Sequence, residues 1–111
     1  MYMPGNPGGR YGSPEHRRKV AERAKQLETE GYEITGGGGR LPERAVTTLE
    51  GKQRYPDISA KDPFGRSYYE NVGRTTKSGE PVARERKALA DINRATGTEA
   101  GFTAYDRSGD N

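Results

Sequence analysis

Val20, Ala24 and Leu27 recur at spacings of four and three within an otherwise polar run, the mark of a helix with one narrow apolar stripe. Ser13 suits its N-cap, Pro14 the first helical position and Glu15 the positive helix end, and Gly31 stops it, so a helix is predicted over 14–30. Tyr32-Glu33-Ile34-Thr35 alternates and is rich in strand formers, which predicts a short strand. Gly36 to Gly39 reads as a flexible connection. A second strand is predicted over 45–49, followed by a turn at Glu50-Gly51-Lys52. Arg54 to Lys61 and Arg66 to Val72 are two further strands, joined by Asp62-Pro63-Phe64-Gly65, which suits a type I turn. Val82, Leu89, Ile92 and Ala95 then share a face of a second helix that starts with Pro81 at its first position and closes at Gly97. Gly101 to Tyr105 is a last strand. The order is helix, several strands, helix, strand.

Composition narrows the picture. Of 111 residues, 29% are hydrophobic and 32% charged, against roughly 45–50% and about 25% in an average soluble protein. One small domain with a thin core is what such a chain can build. We divide it into a flexible leader at 1–12, a domain at 13–106 and a polar tail at 107–111. No apolar run is long enough to span a bilayer. No basic region followed by an apolar stretch opens the chain, so no cleavable signal peptide is expected in it. The absence of cysteine excludes a disulfide framework and a cysteine zinc site. A single histidine argues against a histidine-rich metal site. Oxygen chemistry is left: carboxylates, hydroxyls and a divalent ion. The net charge of +3 permits a nucleic-acid partner without demanding one.

The segment that carries chemistry is Arg54-Tyr55-Pro56-Asp57-Ile58 followed by Ser67-Tyr68-Tyr69-Glu70-Asn71-Val72. In a hairpin whose loop is centred between Pro63 and Phe64, Asp57 lies directly across from Glu70. Two like charges so placed destabilise a sheet unless a cation sits between them. Mg²⁺ takes one or two carboxylates together with substrate phosphate and water. A three-residue loop with Gly65 as a bulge instead pairs Asp57 with Asn71 and sends Glu70 to the other face. Both registers remain open at this point. In the second, the two carboxylates are ordinary strand residues balanced by Arg54, Arg66 and Arg74.

Pro56-Asp57 on one strand and Glu70 on the next, after an opening helix, resembles the PD-(D/E)xK nuclease superfamily. The run from Arg54 through Tyr69-Glu70-Asn71-Val72-Gly73-Arg74 to Gly79-Glu80-Pro81 and Ile92 looks like the restriction-endonuclease-fold toxin domains of bacterial polymorphic and contact-dependent inhibition proteins. The resemblance implies an α/β domain with a mixed sheet of four to five short strands flanked by two helices. It implies metal-dependent cleavage of DNA or RNA, with Asp57 and Glu70 as ligands of Mg²⁺ or another divalent cation. It further implies a domain secreted as part of a larger toxin, acting in the target-cell cytoplasm and blocked by an acidic immunity protein. The sequence departs from the pattern at Val72, where the half-motif carries lysine. Lys77 is the first choice to supply that charge, ahead of Arg74 and Lys61, which gives Asp57, Glu70 and Lys77 as the catalytic set. Glu28 is the candidate for an acidic residue on the first helix, although it fits ordinary helix surface as well.

Arg74 to Lys87 holds five basic and two acidic residues, so Arg74, Arg84, Arg86 and Lys87 are the candidate nucleic-acid contacts. The plain alternative is a solvated helix face. Gly36 to Gly39 lacks a following Gly-Lys-Ser/Thr and is not a nucleotide loop. His16, in the first turn of a polar helix end, reads as a surface residue rather than a general base. Tyr55, Tyr68, Tyr69 and Tyr105 read as half-buried sheet packing more than as stacking platforms. The missing half-motif lysine also leaves a second function class, a non-catalytic nucleic-acid-binding or protein-interaction module.

Overall fold

The computed structural model describes residues 13–105; the proposed leader at 1–12 and tail at 107–111 lie outside them. Helix α1, Pro14–Thr29, starts where its capping residues place it, with the Ser13 hydroxyl accepting from the His16 main-chain N–H at 3.1 Å. Five strands follow, β1 (Glu33–Gly37), β2 (Val46–Thr47), β3 (Gln53–Arg54), β4 (Ile58–Lys61) and β5 (Ser67–Gly73), then α2 (Ala83–Thr96) and β6 (Gly101–Ala104). β1, β4, β5 and β6 form one mixed sheet in that order. Its first two pairs are antiparallel, and β5 and β6 are parallel across the α2 crossover. The fold is therefore a small α/β domain with two helices and a four-stranded mixed sheet.

The helices take opposite faces. Val20, Ala24 and Leu27 of α1 pack on Ile34, Ile58, Ala60 and Val72, which form the core. Strand alternation sends Asn71 and Gly73 to the other face, where α2 lies; a Cβ on Gly73 would meet the Glu85 carboxyl at 2.6 Å.

Three predicted elements differ. The strand expected over Arg54 to Lys61 is two strands, interrupted at Tyr55-Pro56-Asp57, because Pro56 has no N–H to continue a ladder. Its first piece pairs with β2 as a separate two-stranded sheet. Helix α2 begins two residues after Pro81, which instead bridges to Thr75. The glycine run is no loose connection. β1 continues into Gly37, and Gly37, Gly38 and Gly39 hold φ of 64°, 71° and 81° in a turn closed by the Arg40 and Leu41 N–H groups on the Gly37 carbonyl and tied to the neighbouring strand end by the Gly38 N–H on the Asp57 carbonyl. Side chains are strained there, and glycine is not.

The β4–β5 register is decided. Ile58 faces Glu70 and Lys61 faces Ser67, with Asp62 N–H donating to the Arg66 carbonyl around a loop whose Gly65 has φ 86°. This is the bulged three-residue loop. Asp57 therefore meets Asn71, whose Oδ1 accepts its N–H at 3.1 Å.

Candidate active site

Asp57 follows buried Pro56 and immediately precedes β4. One of its oxygens, Oδ2, accepts from the Val72 N–H at 2.8 Å and lies 3.3 Å from His16 Nε2. The same Nε2 is 2.9 Å from the Val72 carbonyl, so it carries the proton and donates. The first turn of α1 is thereby fastened to the ends of two strands. The hydrogen bond to Asp57 raises the His16 pKa above its usual 6.5, against the opposing effect of burial. His16 Nδ1 is buried with no hydrogen-bond partner among the described residues, and the ring stands edge-on to Tyr105 at 5.3 Å. The side chain is only 15% exposed, which corrects the surface reading of His16.

Asp57 and His16 open into a cavity of about 660 Å³ beside α2, also lined by Arg54, Arg74, Arg84 and Glu85. Glu85 covers Gly73, and among the described residues its carboxyl makes no hydrogen bond or ion pair. Burial raises its pKa above the usual 4.5, and the charge of Asp57 adds to the effect. Arg54 donates from Nε and Nη2 to Asp91 Oδ2 at 3.0 and 2.7 Å, which holds the buried Asp91 carboxyl below its usual range. Arg74 donates to the Tyr105 hydroxyl at 3.1 Å. Arg84 is exposed at the cavity edge. The cavity so combines two carboxylates with three guanidiniums.

Glu70 is elsewhere. It is 1% exposed on the α1 side of the sheet, its Oε1 accepting from Tyr68 at 2.5 Å and its Oε2 from Arg23 and Thr103 at 2.8 and 2.6 Å. That network pushes the Tyr68 pKa up, chiefly through burial. Glu70 shares no partner with Asp57 and does not line the cavity. The expectation that these two carboxylates oppose one another fails with the register on which it rested.

Lys77 is exposed in the turn closed by the Gly79 N–H on the Thr76 carbonyl, outside the cavity lining. Arg86 donates to the Pro81 carbonyl at 2.7 Å and Lys87 lies 4.0 Å from Asp91, and neither lines the cavity. Glu28 is paired with Arg40 at 2.6 Å. Of the expected site residues, the structure gathers Asp57, Arg74 and Arg84, and it adds His16, Glu85, Arg54 and Tyr105. Among the described residues no group of three or more His, Cys, Asp or Glu side chains is placed to hold a metal ion, and no helix is long and apolar enough to cross a membrane.

In comparison with known proteins, no family model, curated protein or solved structure matches this chain.

Proposed function

We propose that this chain is a nuclease that cuts phosphodiester bonds at the Asp57 cavity. The observation that carries the reading is the convergence of Asp57 and Glu85 with Arg74 and Arg84 in that cavity. A scissile phosphate needs cationic donors for its oxygens and a carboxylate beside the attacking water. The arrangement of a mixed sheet between two helices is what the resemblance to PD-(D/E)xK toxin domains implies, and it supports the reading.

The donor set decides how a divalent cation fits. Glu70 does not fit, because both of its oxygens are engaged in a buried network. Asp57 and Glu85 do: among the described residues the hydrogen bonds to Asp57 fall on Oδ2 and leave Oδ1 clear, and the Glu85 carboxyl, which lines the same cavity, makes no hydrogen bond. Two carboxylates with phosphate and water are a usual set for Mg²⁺. Asp57 and Glu85 would hold such a cation, which would supply water activation and offset charge developing at phosphorus. His16 keeps Asp57 in one orientation. Arg84 and Arg74 bind phosphate oxygens and stand in for the half-motif lysine, since Val72 is buried and Lys77 lies outside the cavity.

The resemblance extends the proposal to a toxin domain of a secreted bacterial effector that acts in the target-cell cytoplasm. Its basic cavity face would be the one covered by an acidic immunity protein. Val72 in place of lysine favours a second reading, a binding module without catalysis. Cleavage of plasmid DNA and total tRNA in Mg²⁺ or EDTA, by wild type and Asp57→Ala, separates the two. Cleavage that requires both the metal and Asp57 is expected. Folded protein that binds nucleic acid and cuts neither substrate would establish the second reading.

A further inference from the structure

A second cavity shares Asp57 and His16 as its wall. It lies between α1 and the turn after β1, has a volume of about 550 Å³, and is a different environment from the first. Val20, Ala21, Leu41 and Pro42 make its sides, with the main chain of Gly37 and Gly39 between them. The three left-handed glycines bring the backbone directly onto the helix: a Cβ on Gly39 would stand 3.1 Å from Ala21 Cβ, and one on Gly38 would stand 3.2 Å from Ala24 Cβ. No side chain from the turn's glycines fills the space. Arg17, Arg40 and Glu43 supply polar groups at the same cavity.

The volume falls in the roughly 300–1,000 Å³ range of small-ligand sites, which combine mostly apolar walls with a few polar groups. A flat, partly apolar ring with a polar edge matches that lining. The neighbouring cavity offers guanidiniums to a phosphate on the other side of the same two residues. From this shared wall we infer that the Leu41–Ala21 cavity is a subsite for one unpaired nucleobase. The inference rests on the nuclease reading and deepens it: the strand being cut has its phosphate at Arg74 and Arg84 and a base beside Leu41 and Pro42. A base within a duplex reaches such a cavity only by leaving its stack, which costs energy. The preferred substrate class is therefore single-stranded nucleic acid, a loop or a frayed end.

The test is equilibrium binding in EDTA, by fluorescence anisotropy, of short labelled DNA and RNA strands with their bases and of matched strands without them. Base-bearing strands are expected to bind about tenfold more tightly than abasic ones, the order that burying one base gives. Ala21→Leu, which fills the cavity from an exposed helix position, should bring that ratio close to one in folded protein while abasic binding stays at the wild-type value. Leu41→Ala, which removes one wall, should lower the ratio in the same direction. A wild-type ratio of one, an intact ratio in Ala21→Leu, or no binding of any strand would overturn the subsite. Cleavage in Mg²⁺, measured alongside, keeps the two readings apart. A ratio of ten without cleavage sinks the nuclease and leaves the subsite standing, whereas cleavage with a ratio of one does the reverse.

Discussion

His16 Nε2 lies 3.3 Å from Asp57 Oδ2, and this contact joins the first turn of α1 to the strand end where the candidate chemistry sits. The same nitrogen donates to the Val72 carbonyl. The imidazole is held by two acceptors and its other nitrogen is buried, so it orients Asp57 rather than exchanging protons with a substrate.

Stability should accordingly depend on pH through His16. Its folded pKa is raised above 6.5 by Asp57, so the pairing contributes fully below that value and is lost as pH rises through the folded pKa. Glu85, also raised, works in the same direction from about its ordinary 4.5 upward. The melting-temperature gap between wild type and His16→Gln should be widest below pH 6.5 and shrink above it. A gap that widens with rising pH would reverse the assignment.

Glu70 should prove a structural residue. Removing one member of a buried charged network leaves the rest uncompensated, at about 3 kcal/mol. Glu70→Ala should lower the urea midpoint by a corresponding amount, and Arg23→Ala by less, since Arg23 is 24% exposed and its loss exposes Glu70 only in part.

The sequence carried much of this fold and less of the site, for physical reasons. Ser13-Pro14, the Val20–Leu27 stripe and Gly31 are local signals, and local interactions decide the helix they mark. The β4–β5 register was not local. Ile58, Ala60 and Val72 share the α1 face only in the bulged register, which also places Glu70 among them. A carboxylate on an apolar face argues against that choice until Arg23, 47 residues away, supplies its partner. His16 misled in the same way. Its partners lie 41 and 56 residues further along the chain, and nothing near it in sequence announces them. In sequence, Glu85 is one charge among several on the second helix, between Arg84 and Arg86. The residue that makes room for it is Gly73 on β5.

Gly73→Ala tests that accommodation. An added Cβ would stand 2.6 Å from the Glu85 carboxyl, the mobile end of a side chain, so Glu85 moves and the fold does not. Cleavage should fall about 10²-fold, the scale of a 1 Å misplacement, with melting temperature nearly unchanged. Wild-type cleavage rates in this variant would show that the position of Glu85 is immaterial.

Arg84 should contribute through phosphate. Arg84→Ala is expected to weaken single-strand binding and to reduce the slope of log K against log salt by about 0.7, the single-strand value for one phosphate contact. Arg86→Ala should change that slope far less, because Arg86 lies outside the cavity lining where the phosphate would sit. Equal effects would mean a diffuse basic surface rather than a site.

Cleavage rates of Glu85→Gln and Glu70→Gln, measured side by side below both melting temperatures, test most directly whether phosphodiester chemistry belongs to the Asp57 cavity. Glu85→Gln should lose about 10²–10⁴-fold, the usual range for one catalytic group, with stability retained, and folded Glu70→Gln should keep a near-normal rate. A normal rate in Glu85→Gln together with an inactive, folded Glu70→Gln would contradict this and return the chemistry to the Asp57–Glu70 pair.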